Sequence, residues 1–274
     1  MLQAIWEGQL AAVAAVRAVL PALESAAEAA LPLLARGGRL VYAGAGTSGR
    51  IGVQDGAELP PTFDWPEDRL VLLMAGGASA FTRSVENAED DRAAAERDVA
   101  ANAIGGDDVV IGIAASGSTP YTTTIISESA RRGALTIGIA NSPGGALLTA
   151  AAWPILVETG AETIAGSTRM QAGTAQKVVL NLFSTLVMVR LGRIHRGLMV
   201  DMNARNAKLR QRAVRMLREI TGRDDDSIRA ALDAAGGRVK TAVLILRGLD
   251  RTAAESLLAV HAGHLHAALA DLDA

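Results

Sequence analysis

Five short apolar runs, Arg39–Ala43, Leu70–Met74, Val109–Ala114, Thr136–Ala140 and Ile155–Val157, punctuate the first 160 residues, with longer amphipathic stretches between them. A strand with one wet face alternates apolar and polar residues. These runs do not alternate, so both faces of the pleat must be covered, as in parallel sheets sandwiched by helices. Helical candidates fall at 48–58, 79–103, 119–132 and 144–152. This β-α alternation predicts an α/β fold with a doubly wound, parallel, five-stranded sheet. Half of the 274 residues are hydrophobic and only eight are aromatic, so the core must be built from Ala, Val, Leu and Ile.

Ala11–Leu34 has helical periodicity interrupted by Pro21 and Pro32, which predicts two helices or one kinked helix. Arg169–Leu191 reads as a long apolar helix, and a further helix over about 203–221 ends at Thr221-Gly222. Asp224–Ala274 carries no strand signal. The expected division is therefore a sheet domain over 1–222 and a small all-α domain over 223–274. A net charge of −2, without like-charge blocks, excludes electrostatically driven binding to nucleic acid or anionic membranes. Without cysteine there are no disulfides and no thiolate chemistry. The start MLQAIWEGQLAAV lacks a basic n-region, and the longest apolar run, Leu180–Val189, is interrupted by Asn181 and Ser184. A soluble cytoplasmic protein is expected.

Two strand-to-helix turns carry the chemistry. Gly44-Ala45-Gly46-Thr47-Ser48-Gly49 follows the first strand, and Ser116-Gly117-Ser118-Thr119 follows the third. Glycines admit an anion close to the backbone, a helix N-terminus offers free N–H groups, and hydroxyls donate further bonds. Gly44, Gly46 and Gly49 match the dinucleotide glycine pattern, but Met74-Ala75-Gly76-Gly77 stands where a ribose-binding carboxylate is needed, which disfavours NAD. A phosphate held jointly by the two turns at the sheet's carboxyl edge is the sharper reading; each hydroxyl also suits an N-cap. Two groups of carboxylates lie nearby. Glu58 precedes Pro60-Pro61, which should end the first helix abruptly and fix Glu58 beside the crevice. Glu86 and Glu89 should share a face early in the next helix. Physics alone leaves either group as surface charge.

The stretches GAGTSGRIGVQDGAELPPTF, SVENAEDD, AASGSTPY, GSTRMQAGTAQKVVLNLFSTLVMVRLG and LMVDMNARNAKL resemble the N-acetylmuramic acid 6-phosphate etherases of the sugar isomerase (SIS) superfamily. The resemblance runs from about Ala30 to the C-terminus, where the family has a small helical, UBA-like domain. It implies cleavage of a D-lactyl ether without metal or organic cofactor, in a homodimer whose site lies near the interface. By motif position, Glu89 is the base at C2 and Glu58 the acid for departing lactate, with Glu58 the drier of the two. Thr47, Ser48, Gly49, Ser116, Gly117, Ser118 and Thr119 would hold the phosphate.

The chain also departs from that pattern. Ser118 stands where arginine is expected, Gln171 where lysine is expected, Ala57 and Leu59 where serine and cysteine are expected, and Asp64 where glycine is expected. Trp6-Glu7-Gly8 replaces a more polar segment. Losing cations near the phosphate or the lactyl carboxylate would weaken binding or alter the accepted substituent. Two further readings share the fold: a non-catalytic sugar-phosphate regulator, and an aldose–ketose isomerase with no use for an acid at Glu58.

Overall fold

The computed structural model describes residues 1–204 and 206–274; Arg205, within the LMVDMNARNAKL stretch, lies outside them. Every apolar run becomes a strand: β1 (Leu40–Gly44), β2 (Leu70–Met74), β3 (Val109–Ile113), β4 (Leu135–Ala140) and β5 (Trp153–Leu156). All pair in parallel in the order β2-β1-β3-β4-β5. Chain order reverses between β1 and β3, and such a switch point leaves a crevice at the strands' carboxyl ends. Gly44 and Ile113, which close these two strands, lie side by side in the register.

The chain divides into two units, Met1–Glu58 with Pro66–Val187, and Leu59–Trp65 with Met188–Ala274. In the first, α1 (Leu2–Ala15) and α2 (Leu20–Ala35) are separated by a 3₁₀ turn at Val16–Val19. Pro21 sits in the first turn of α2, where its missing N–H costs nothing. Helices α3 (Gly46–Ala57), α5 (Arg92–Ala101), α6 (Pro120–Arg131) and α7 (Ala146–Ala150) follow strands β1 to β4. Val41, Ala43 and Val110 pack with Val99, Ile125 and Leu147 on one face of the sheet. Tyr42 packs on the other face, against α3.

Two stretches, Leu2–Ala35 and α8 (Gln171–Arg190), are long and apolar enough to cross a bilayer by length and composition alone. Both also supply core. Helix α8 buries Ala175, Val179, Leu180, Phe183 and Val187, and α2 buries Ala26, Ala27, Ala30 and Leu34.

The second unit holds the short α4 (Leu59–Phe63), a two-stranded ribbon of β6 (Ile194–His195) and β7 (Leu198–Met199), and α9 (Ala207–Thr221). Helices α10 (Asp225–Ala234), α11 (Val239–Leu246), α12 (Arg251–Val260) and α13 (Leu265–Leu272) complete it. Its core joins Ala213, Val214 and Leu217 of α9 to Ile228, Leu232 and Val243. A division at 222/223 would cut through this core: the apolar stripe of α9 is buried with the helices that follow it. The double proline does not break the chain into a loop. Pro60 and Pro61 occupy the opening turn of α4, where neither N–H is needed. Asp64 has φ +52°, the left-handed region, which explains why a glycine suits this position.

Candidate active site

The first turn is built by close packing. Ala45 caps α3 in an extended conformation, so the N–H groups of its first turn have no helical partner. A Cβ at Gly49 would lie 2.4 Å from Met74 Sδ and 2.7 Å from the Gly44 carbonyl group, so only glycine lets α3 start this close to β1 and β2. Among the described residues the hydroxyls of Thr47 and Ser48 make no hydrogen bond to the protein, although Ser48 is buried. The second turn leaves β3 through Gly117, at φ +66°, whose carbonyl accepts from Leu147 N at 2.8 Å. Ser116 Oγ accepts from Ser118 N at 3.1 Å, and Thr119 stands at the N-cap of α6 without a side-chain cap bond. The N-cap use open to each hydroxyl is therefore not taken by Thr119. The turns follow laterally paired residues on adjacent strands, at one edge of the sheet.

Glu89 does not lie in a regular α-helix. The expected helix over 79–103 is divided into 3₁₀ turns at Gly77–Phe81 and Ala88–Asp90, followed by α5, which Asp91 caps by accepting from Ala94 N at 2.8 Å. Asn87 has φ +59°, so the backbone turns between Glu86 and Glu89 and the helical i,i+3 face does not exist. Both glutamates instead line a cavity of about 200 Å³, together with Ala45 and Gly46 of the first turn, Arg50 and Arg83. Arg50 ties the parts together, donating through Nε to Ala80 O at 2.9 Å and through Nη2 to Arg83 O at 3.1 Å. Sequence reasoning passed over both arginines, because nothing in the sequence marks two surface cations as neighbours of one cavity.

Glu58 stands elsewhere. It is the exposed C-cap of α3, not the dry carboxyl expected, and it does not line that cavity. The helix starts at the carboxyl edge, where Gly49 meets Met74, and ends beside the beginning of β2, where Gly56 faces Leu70. Twelve helical residues put about 18 Å between its ends. Beneath the last turn lies a buried polar cluster that sequence reasoning also missed. Asp55, 2% exposed, accepts from Tyr42 Oη at 3.1 Å and Asn181 Nδ2 at 2.8 Å, with Lys177 Nζ 3.9 Å away. Burial, then the charge and hydrogen bond of Asp55, push the Tyr42 phenol well above its usual range, so it remains a donor. No group of three or more His, Cys, Asp or Glu among the described residues is arranged to hold a metal.

Profiles of two families match the chain: the glucokinase regulatory protein N-terminal SIS domain over residues 22–129, and the SIS domain over 77–186. A phosphoheptose isomerase from Francisella tularensis shares the fold, with a TM-score of 0.53 at 19% identity over 69% of this chain and 96% of that one. Two relatives called N-acetylmuramic acid 6-phosphate etherase are much nearer. The protein of Deinococcus radiodurans is 52% identical over 275 residues, covering 100% of this chain and 90% of its own. That of Streptomyces avermitilis is 48% identical over 258 residues, covering 94% and 83%. The chain belongs to the N-acetylmuramic acid 6-phosphate etherase family.

Against the etherase pattern, the structure accounts for one departure fully. Gln171 is 5% exposed and turned into the 159–163 loop: its Oε1 accepts from Thr163 N at 2.9 Å and its Nε2 donates to Thr159 O at 3.2 Å. Glu162 in turn accepts from the N–H groups of Gln171 and Ala172, both at 2.9 Å, capping α8. A Cβ at Gly8 would lie 3.0 Å from Thr163 Oγ1 and 3.1 Å from Gln171 Cδ. The unusual Trp6-Glu7-Gly8 segment and the unusual Gln171 are thus two sides of one contact between α1 and α8. Ser118, by contrast, is exposed on the second turn, and its Oγ donates only a long 3.4 Å bond to Ser116 O. Nothing in the structure replaces an arginine there.

Proposed function

We propose that this protein is an N-acetylmuramic acid 6-phosphate etherase, a carbon–oxygen lyase that releases D-lactate and leaves N-acetylglucosamine 6-phosphate. The observation that carries the reading is that Glu89 and the Gly46 end of the first turn line one cavity at the carboxyl ends of β1 and β2. Thr47, Ser48, Gly49, Ser116, Gly117, Ser118 and Thr119 hold the phosphate through hydroxyls and N–H groups at two helix starts. With the sugar ring open, C2 lies next to an aldehyde and its hydrogen becomes acidic. The Glu89 carboxylate takes that proton, the electron pair moves into an enolate, and its collapse expels the lactyl oxygen from C3. The acid Glu58 protonates the departing oxygen. Water then adds its hydroxyl to C3 while a proton returns to C2. Each proton transfer contributes about 10²–10⁴-fold. The chemistry asks for no metal and no organic cofactor.

C2 and C3 lie within one ring's width of a bound hexose phosphate, and Glu58 is at the far end of α3. The reading therefore makes the working unit a homodimer in which Glu58 of one copy completes the cavity of the other. An exposed glutamate on the isolated chain supports this, because the partner would supply the dry surroundings an acid needs. The test is incubation with N-acetylmuramic acid 6-phosphate in heavy water, following lactate and deuterium at C2. Lactate release with C2 labelling is expected; absence of both sinks the reading. E58Q should stop lactate release and spare exchange, while E89Q should stop both.

A further inference from the structure

The proposed substrate carries two anions, the phosphate and the lactyl carboxylate, and the two turns account for only the first. A carboxylate beside Glu86 and Glu89 needs a cation to offset their repulsion and to replace its lost hydration. The cavity offers two, Arg50 and Arg83. Arg50 already spends Nε and Nη2 on the carbonyls of Ala80 and Arg83. The Arg83 guanidinium has no hydrogen bond or ion pair among the described residues, while its own carbonyl is pinned by Arg50 to the helix that begins at the first turn. Its backbone is thereby fixed relative to the phosphate loop, and its charge is uncommitted. The positions where the family pattern led us to expect cations give no rival. Residue 118 is a serine, and Gln171 is turned away into the 159–163 loop.

We infer that Arg83 binds the lactyl carboxylate and so selects a 3-O-carboxyalkyl amino-sugar phosphate over the same sugar without that substituent. The inference rests on the etherase reading and deepens it. A planar guanidinium matches a carboxylate in two parallel bonds, and such a charge-assisted contact corresponds to about ten- to a hundred-fold in binding. The contact forms with the intact ether and vanishes with the lactate, so it also favours release of the sugar phosphate product, which has lost one of its two anions.

The test compares two ligands on the same protein. N-acetylmuramic acid 6-phosphate has the carboxylate; N-acetylglucosamine 6-phosphate has the same phosphate, acetamide and C2 hydrogen without it. KM for lactate release and KM for C2 deuterium exchange on the product are measured for wild type, R83M and R83K. R83M is expected to raise KM at least tenfold more for the lactyl ether than for the product, and R83K to recover part of the difference. Equal changes for the two ligands, or no change for either, overturn the assignment while leaving an active etherase. A wild-type protein that performs neither reaction overturns the etherase reading and the role of Arg83 with it.

Discussion

Mixing two dead variants tests the shared site directly. E58Q removes the proposed acid and E89Q the proposed base, and each should lose about 10²–10⁴-fold in lactate release, leaving at most about 1% of wild-type activity. The proposed sharing follows from their places in one chain: Glu89 lines the cavity at the carboxyl edge, while Glu58 ends α3, a helix about 18 Å long, beside the start of β2. In a two-fold dimer each cavity then takes Glu89 from its own chain and Glu58 from the other. Dissociating and reassembling equal amounts of the variants makes half of the dimers mixed. In each mixed dimer one cavity has both glutamates and the other has neither. Activity should return to about a quarter of wild type, at least twentyfold above either variant. Lactate release is measured before and after exchange, with differently tagged subunits to count mixed dimers. If mixed dimers form and activity stays at the level of the separate variants, both glutamates act within one chain and the reasoning from helix length is wrong.

Two further perturbations address the frame. D55A leaves the buried Tyr42 hydroxyl and the Asn181 amide without their shared acceptor and should cost about 2–4 kcal/mol in urea unfolding; a loss below about 0.5 kcal/mol would mean that the cluster holds nothing in place. His195 in the second unit is 5% exposed, its Nε2 has no partner, and burial, then Arg196 and His266, lower its pKa from 6.5. Below pH 6.5 the unfolded chain takes up a proton that folded His195 resists, so stability falls as the pH drops through that window and recovers as it rises. H195N should flatten the slope of the urea midpoint between about pH 5 and 7, and an unchanged slope would show that other groups set it.

The alternation of unbroken apolar runs with amphipathic stretches was enough to determine a parallel sheet of five strands. A strand buried on both faces has no polar side chains to spare, and that requirement is written locally. The two hydroxyl-rich turns were legible for the same reason: glycine and hydroxyl spacing is a property of a few consecutive residues. Their placement side by side needed the strand order, since only the reversal between β1 and β3 makes turns some 70 residues apart neighbours. Glu89 was legible as a residue but not in its setting, because Asn87 at φ +59° divides a segment whose composition reads as one helix. Arg50, Arg83 and the cluster around Asp55 were invisible, since each is defined by contacts between distant segments. Glu58 shows the division most plainly. The sequence determined that a glutamate ends the first helix, and only the tertiary structure, by running that helix back along the sheet, decided that it lies at the opposite edge from the two hydroxyl-rich turns.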